Sequence, residues 1–161
     1  MTSFTPERYV LALRKTPVVL NALLKGVTQE QAQRMTDGPD GWSVLETMCH
    51  IRDFADISLQ RVHLILEQDR PTLPPLKPDE ATRSRDYRSQ RLADEFATWL
   101  DSRRTVLMLL TGLPADGWQR AGIHGELGTM TLLELSVHMV WHDLNHIEQI
   151  ARSLGLSDAQ V

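Results

Sequence analysis

Two stretches of this chain begin alike and fix most of what it can fold into. Ser43-Val-Leu-Glu46 and Thr131-Leu-Leu-Glu134 each set a hydroxyl three residues ahead of a glutamate, at the head of a long run with helical apolar spacing. In that pattern the hydroxyl accepts from the glutamate's backbone N–H while the carboxylate reaches back to the hydroxyl residue's own N–H, so both stretches predict helix starts. The runs predict helices from Ser43 to Gln68 and from Thr131 to Leu154, the latter stopped by Gly155. A further helix fits Thr5 to Lys25, with Pro6 at its first position, Gly26 after its end and an expected kink at Pro17. Another fits Tyr87 to Thr111, ending at Thr-Gly-Leu-Pro. Between the second and third helices, Asp69 to Glu80 holds four prolines, which exclude a helix and predict an extended crossover. No segment alternates like a strand. The expectation is an all-α four-helix bundle forming a single domain over residues 1–161.

Charge and composition narrow the partners. A net charge of −4 gives no reason to expect nucleic acid, whose phosphates reward a basic face. One cysteine, Cys49, cannot form an internal disulfide, and the first residues lack the basic-then-apolar order of a signal peptide. Apolar runs such as Thr105 to Leu110 fall far short of the roughly 20 residues needed to span a bilayer, so no membrane partner is expected. A cytoplasmic location follows as the expectation.

Three of the six histidines, His138, His142 and His146, recur every fourth residue on the last helix. At about 100° per residue, His142 and His146 fall inside an apolar stripe with Leu132, Leu135, Met139 and Ile150, while His138 lies on its edge. On the second helix the same construction groups His50 with Phe54, Ile57, Arg61 and Ile65, and puts Glu46 and Asp53 at the margins of that face. His63 lies on the far side of its helix and His124 in a glycine-rich loop, so neither is expected to be a ligand. Two histidines one helical turn apart can hold one ion, and a third from another helix fixes it in space. His50, His142 and His146 are the candidate ligands. Three neutral imidazoles with an open position describe a catalytic type of zinc site, also usable by nickel, iron or manganese. The alternative is a polar core network in which each buried histidine hydrogen-bonds to a neighbour. The zinc-protease HExxH, di-iron Glu-x-x-His pairs, CxxCH, P-loop and dinucleotide fingerprints are all absent. A second apolar set on the last helix, Leu133, Val137, Val140, Leu144, Ile147 and Ala151, predicts a subunit interface and a homodimer, unless loops or the crossover cover it.

Gly41-Trp42-Ser43-Val-Leu-Glu46 through His50 to Asp53, followed about ninety residues later by His142-Asp143-Leu-Asn-His146-Ile-Glu-Gln149-Ile150, resembles the DinB-like superfamily. The likeness covers nearly the whole chain. It implies an up-up-down-down bundle, often dimeric, with a divalent metal on three histidines, which map to His50, His142 and His146. His138 matches no ligand of that pattern, while Asp143 and Gln149 match recurrent positions without an assigned role. Gln149, Glu46 and Asp53 are the candidates for supporting the ligands. The resemblance further implies a metal-dependent transferase using a low-molecular-weight thiol on a small electrophile, with metal-dependent hydrolysis as the alternative. Both draw on the same acidification of a bound thiol or water. A third expectation is a non-enzymatic dimeric metal- or ligand-binding module of stress response.

Overall fold

The computed structural model describes residues 5–77 and 86–156, and the end of the proline-rich stretch, residues 78–80, lies outside them. Its helices are α1 (Pro6–Leu24), α2 (Gln29–Arg34), α3 (Val44–Glu67), α4 (Leu92–Leu110) and α5 (Leu132–Ser153). Both expected capping boxes are formed: Ser43 and Thr131 accept from the N–H of Glu46 and Glu134, whose carboxylates take the N–H of Ser43 and Thr131 in return. α1 continues through Pro17 without interruption. The short α2 was not expected, although Thr28 and Gln31 cap it by the same device. Tyr87 does not begin the third long helix: Tyr87–Ser89 is one separate turn of 3-10 helix, and α4 opens at Leu92. No helix among the described residues is long and apolar enough to cross a membrane.

The four long helices form a bundle whose buried side chains fall into two clusters, one near each end. Leu13 of α1, Ile65 of α3, Leu110 of α4 and Leu132 of α5 share one cluster. Leu20, Leu45, Trp99 and Ile150 of the same helices share the other. Reading each helix from one cluster to the other, α1 and α5 run one way and α3 and α4 the opposite way. The order is therefore up-down-down-up, which corrects the expected up-up-down-down. An up-up-down-down bundle needs two connections that traverse its length. Here only the crossover after α3 does so, while the α1–α3 and α4–α5 connections turn back at one end.

The chain also contains a small antiparallel hairpin where none was expected. β1 (Ala121–His124) pairs with β2 (Gly128–Thr131), Ala121 opposite Thr131 and His124 opposite Gly128. The crossover binds alongside it: Leu73 donates its N–H to the Ile123 carbonyl and Ile123 donates to that of Pro71, both at 2.8 Å. Gly122 permits this approach, because a Cβ there would lie 2.5 Å from a Leu73 methyl. Arg120 completes the joint by donating to the carbonyls of Ile65 and Gln68 at the C-terminal end of α3.

The second apolar face of α5 is largely covered within the chain. Val140 and Ile147 are buried in the same clusters as Leu13 and Leu20 of α1. This removes the reason for expecting a subunit interface along that face: a helix between two neighbours needs two apolar faces. Trp141 and Leu144 remain exposed. A buried ion pair ties the same side together, with Arg103 Nη2 on α4 donating to both oxygens of Asp143 at 2.9 and 2.7 Å. Thr16 of α1 donates to Asp143 Oδ2 at 2.8 Å.

Candidate metal centre

α3 and α5 run antiparallel and side by side, and this sets His50 against His142 and His146. One candidate ligand atom from each of the three lies within 4.8 Å of the others. Nε2 of His142 is 3.0 Å from Nε2 of His50. Among the described residues this is the one cluster of metal-ligating side chains that could hold an ion. His50 is buried, and His142 and His146 are partly so.

The rings are held mainly by packing. Phe54 stacks on His142 with ring centroids 3.5 Å apart and planes within 9°. Trp42, at the turn into α3, meets His50 edge-on at 5.0 Å. His146 has in addition a polar support: its Nδ1 donates to Gln149 Oε1 at 2.7 Å, leaving Nε2 as its unprotonated nitrogen. Gln149 in turn donates to Asp37 Oδ2 at 2.9 Å. The Nδ1 atoms of His50 and His142 are buried without a hydrogen-bond partner.

Electrostatics keep the trio neutral. Burial, reinforced by His146, pushes the His50 pKa down to about 4. Burial and the neighbouring His146 and His50 hold His142 well below the ordinary histidine range. Burial also lowers His146, against the opposing pull of Gln149 and Asp37. Neutral imidazole is the form that ligates a cation, so protonation state, donor type and convergence all fit a divalent ion.

The other expected residues divide. Gln149 is beside the cluster, as stated. Glu46 is committed to its capping box and to Arg88, whose Nε donates to Glu46 Oε1 at 3.0 Å. Asp53 accepts from the Tyr87 hydroxyl and pairs with Arg52 at 2.9 Å. Neither carboxylate belongs to the converging group. Asp143, next to His142 in sequence, points the other way into the Arg103–Thr16 network.

Above the trio lies a cavity of about 370 Å³ whose lining includes Arg61, Leu76, His124, Leu127 and His138. His138, at the stripe's edge in the helical projection, thus faces the same space without joining the trio. Its ring meets Phe54 edge-on at 5.3 Å and its Nδ1 is buried without a partner. Burial, then the charge of Arg61, lowers its pKa. Sequence reasoning missed Asp37, a loop residue carrying no periodic signal. It also left Arg61 without a role, although the helical projection had placed Arg61 on the face of His50.

A family profile described as the DinB superfamily matches residues 12–150. A curated relative from Geobacillus thermodenitrificans, named as a candidate metal-dependent hydrolase, is 25% identical over 146 residues, which is 89% of this chain and 81% of that protein. A similarly named protein from Geobacillus kaustophilus is 24% identical over 148 residues, 90% of this chain and 82% of that one. Among solved structures, YfiT from Bacillus subtilis superposes with a TM-score of 0.84 at 20% identity, covering 98% of this chain and 91% of that one. Its description is of a candidate metal-dependent hydrolase with an unusual four-helix bundle topology. A mycothiol-dependent maleylpyruvate isomerase superposes with a TM-score of 0.76 at 14% identity, covering 93% of this chain and 63% of that one.

Proposed function

The chain belongs to the DinB superfamily, and on that footing we propose that it is a metal-dependent hydrolase of small molecules whose divalent ion sits on His50, His142 and His146. The observation that carries this reading is the convergence of three neutral imidazoles beneath a cavity of about 370 Å³. A divalent ion with three protein ligands keeps a position open and supplies Lewis acidity, lowering the pKa of a water or thiol there. An all-imidazole set suits zinc or nickel, and is also used by iron and manganese.

The protein's own groups then have distinct tasks. Phe54 and Trp42 fix the rings of His142 and His50, and Gln149 sets the tautomer of His146. His138, held neutral and facing the cavity, is placed to accept a proton from the attacking group. Glu46 and Asp53, either of which would have closed the site as a fourth ligand, are engaged elsewhere. That supports a reactive centre over a purely structural one. The names of both Geobacillus relatives and of YfiT favour hydrolysis. Transfer of a low-molecular-weight thiol, expected from the sequence, would use the same open position. It finds support in the mycothiol-dependent neighbour, which is similar in fold.

The test begins with untagged protein and elemental analysis by mass spectrometry. One equivalent of metal is expected, reduced at least tenfold in His142→Ala and His146→Ala, and undiminished stoichiometric metal in both variants would refute the ligand set. Panels of esters and amides, and of thiols with monochlorobimane, then separate the two chemistries. His138→Asn should retain the metal and lose turnover by about 10²–10⁴-fold, the range for a proton-transfer group.

A further inference from the structure

Arg61 is 2% exposed and has no ion-pair partner among the described residues. Its Nε and Nη2 both donate to the carbonyl of Pro74 in the crossover, at 3.0 and 2.8 Å. That grip occupies one edge of the guanidinium. The other edge, formed by Nη1 and the second N–H of Nη2, has no acceptor among the described residues, and Arg61 lines the cavity above the three histidines. A buried cation normally requires an anion, so an unpaired one on a cavity wall is a recognition feature.

Its neighbours extend the feature. His124, the last residue of β1, accepts the N–H groups of Glu126 and Leu127 in the hairpin turn on Nδ1, each at 3.3 Å. Its proton is thereby placed on Nε2, making that nitrogen a donor on a residue that also lines the cavity. Glu126 stands on the rim, beyond ion-pair distance of Arg61 but near enough for its charge to favour the charged guanidinium against the cost of burial. The rest of this wall is apolar, with Pro75, Leu76 and Leu127. Along α3, Arg61 follows His50 by eleven residues, about 16 Å at 1.5 Å per residue, and its side chain leans back toward the helix N-terminus. The cavity thus has two chemically different ends.

We propose that the outer end is a carboxylate subsite, in which the free edge of Arg61 and Nε2–H of His124 bind the carboxylate of a substrate whose reacting group reaches the three histidines. This rests on the metal-dependent reading for the identity of the reacting end, and not for the carboxylate contact. The guanidinium edge matches a carboxylate's two oxygens, and the apolar wall suits a hydrocarbon or aromatic spacer. The substrate class is therefore a small amphipathic organic acid.

The experiment compares phenylacetate with its uncharged isostere phenylacetamide, by calorimetric titration of the full chain with and without zinc. Phenylacetate should bind the metal-free protein at least tenfold more tightly than the amide. Arg61→Gln, which keeps an N–H donor for Pro74, should abolish the preference, while Arg61→Lys should keep part of it. Glu126→Gln, a change on the rim, should strengthen phenylacetate binding about two- to fivefold and leave the amide unchanged. Equal binding of the two probes to metal-free wild type would overturn the proposal, as would a preference that survives Arg61→Gln or appears only with zinc. Where Arg61→Gln does not fold, the wild-type probe pair and Glu126→Gln decide. Failure of the metal reading would register separately, as absent metal in the elemental analysis.

Discussion

His142 and Asp143 are adjacent, yet the bundle uses them for opposite purposes. His142 faces α3 and the cavity, whereas Asp143 is 1% exposed and fastens α5 to α4 and α1. Removing the carboxylate strands Arg103, itself buried, without its anion. Asp143→Ala is expected to cost about 3–5 kcal/mol in urea denaturation, the range for breaking a buried pair. The ligand geometry can then be checked independently with Asp143→Asn, which keeps the shape and a hydrogen-bond acceptor. Gln149 acts on the other side of the trio, as the acceptor that fixes His146. Gln149→Leu should lower metal affinity about 10–100-fold in chelator competition with little change in fold stability. The histidine trio was legible because period and position on a helix are local properties. The partners of Asp143 and Gln149 were not: Arg103, Thr16 and Asp37 come from other elements, and only the packed bundle brings them near.

At the scale of elements, the four long helices could be read to within a few residues because the capping boxes and the Pro and Gly breaks are written in contiguous sequence. The hairpin could not. Its strands are four residues each, three glycines interrupt any alternation, and the crossover that pairs with Ile123 lies about fifty residues earlier. Helix direction was equally hidden, since it depends on which connection spans the bundle. The joint between hairpin and crossover carries the outer wall of the cavity, so its integrity matters beyond packing. Gly122→Ala would set a methyl against Leu73 at 2.5 Å and against Ile65 at 3.1 Å. A loss of about 1–3 kcal/mol is expected, the cost of overpacking, with weakened ligand binding and unchanged metal content.

For the molecule as a whole, the neutral trio couples stability to acid. His50 titrates near 4 in the folded chain and near 6.5 when unfolded. Between those values the unfolded state holds more protons, so the contribution is complete above about pH 6.5 and is lost as pH falls toward 4. His142, His146 and His138 are shifted in the same direction and add to it. Metal-free protein should therefore unfold at clearly lower urea at pH 5 than at pH 7.5. Zinc at pH 7.5 should raise the melting temperature of wild type and leave that of His142→Ala unchanged. The pairing of α3 with α5 has one more implication, for the chain's time course. During synthesis from the N-terminus, His50 is made early and its partners arrive 92 and 96 residues later in the last helix of the bundle. An elongating chain therefore carries one of the three candidate ligands through most of its growth, and metal acquisition is expected to accompany docking of the final helix.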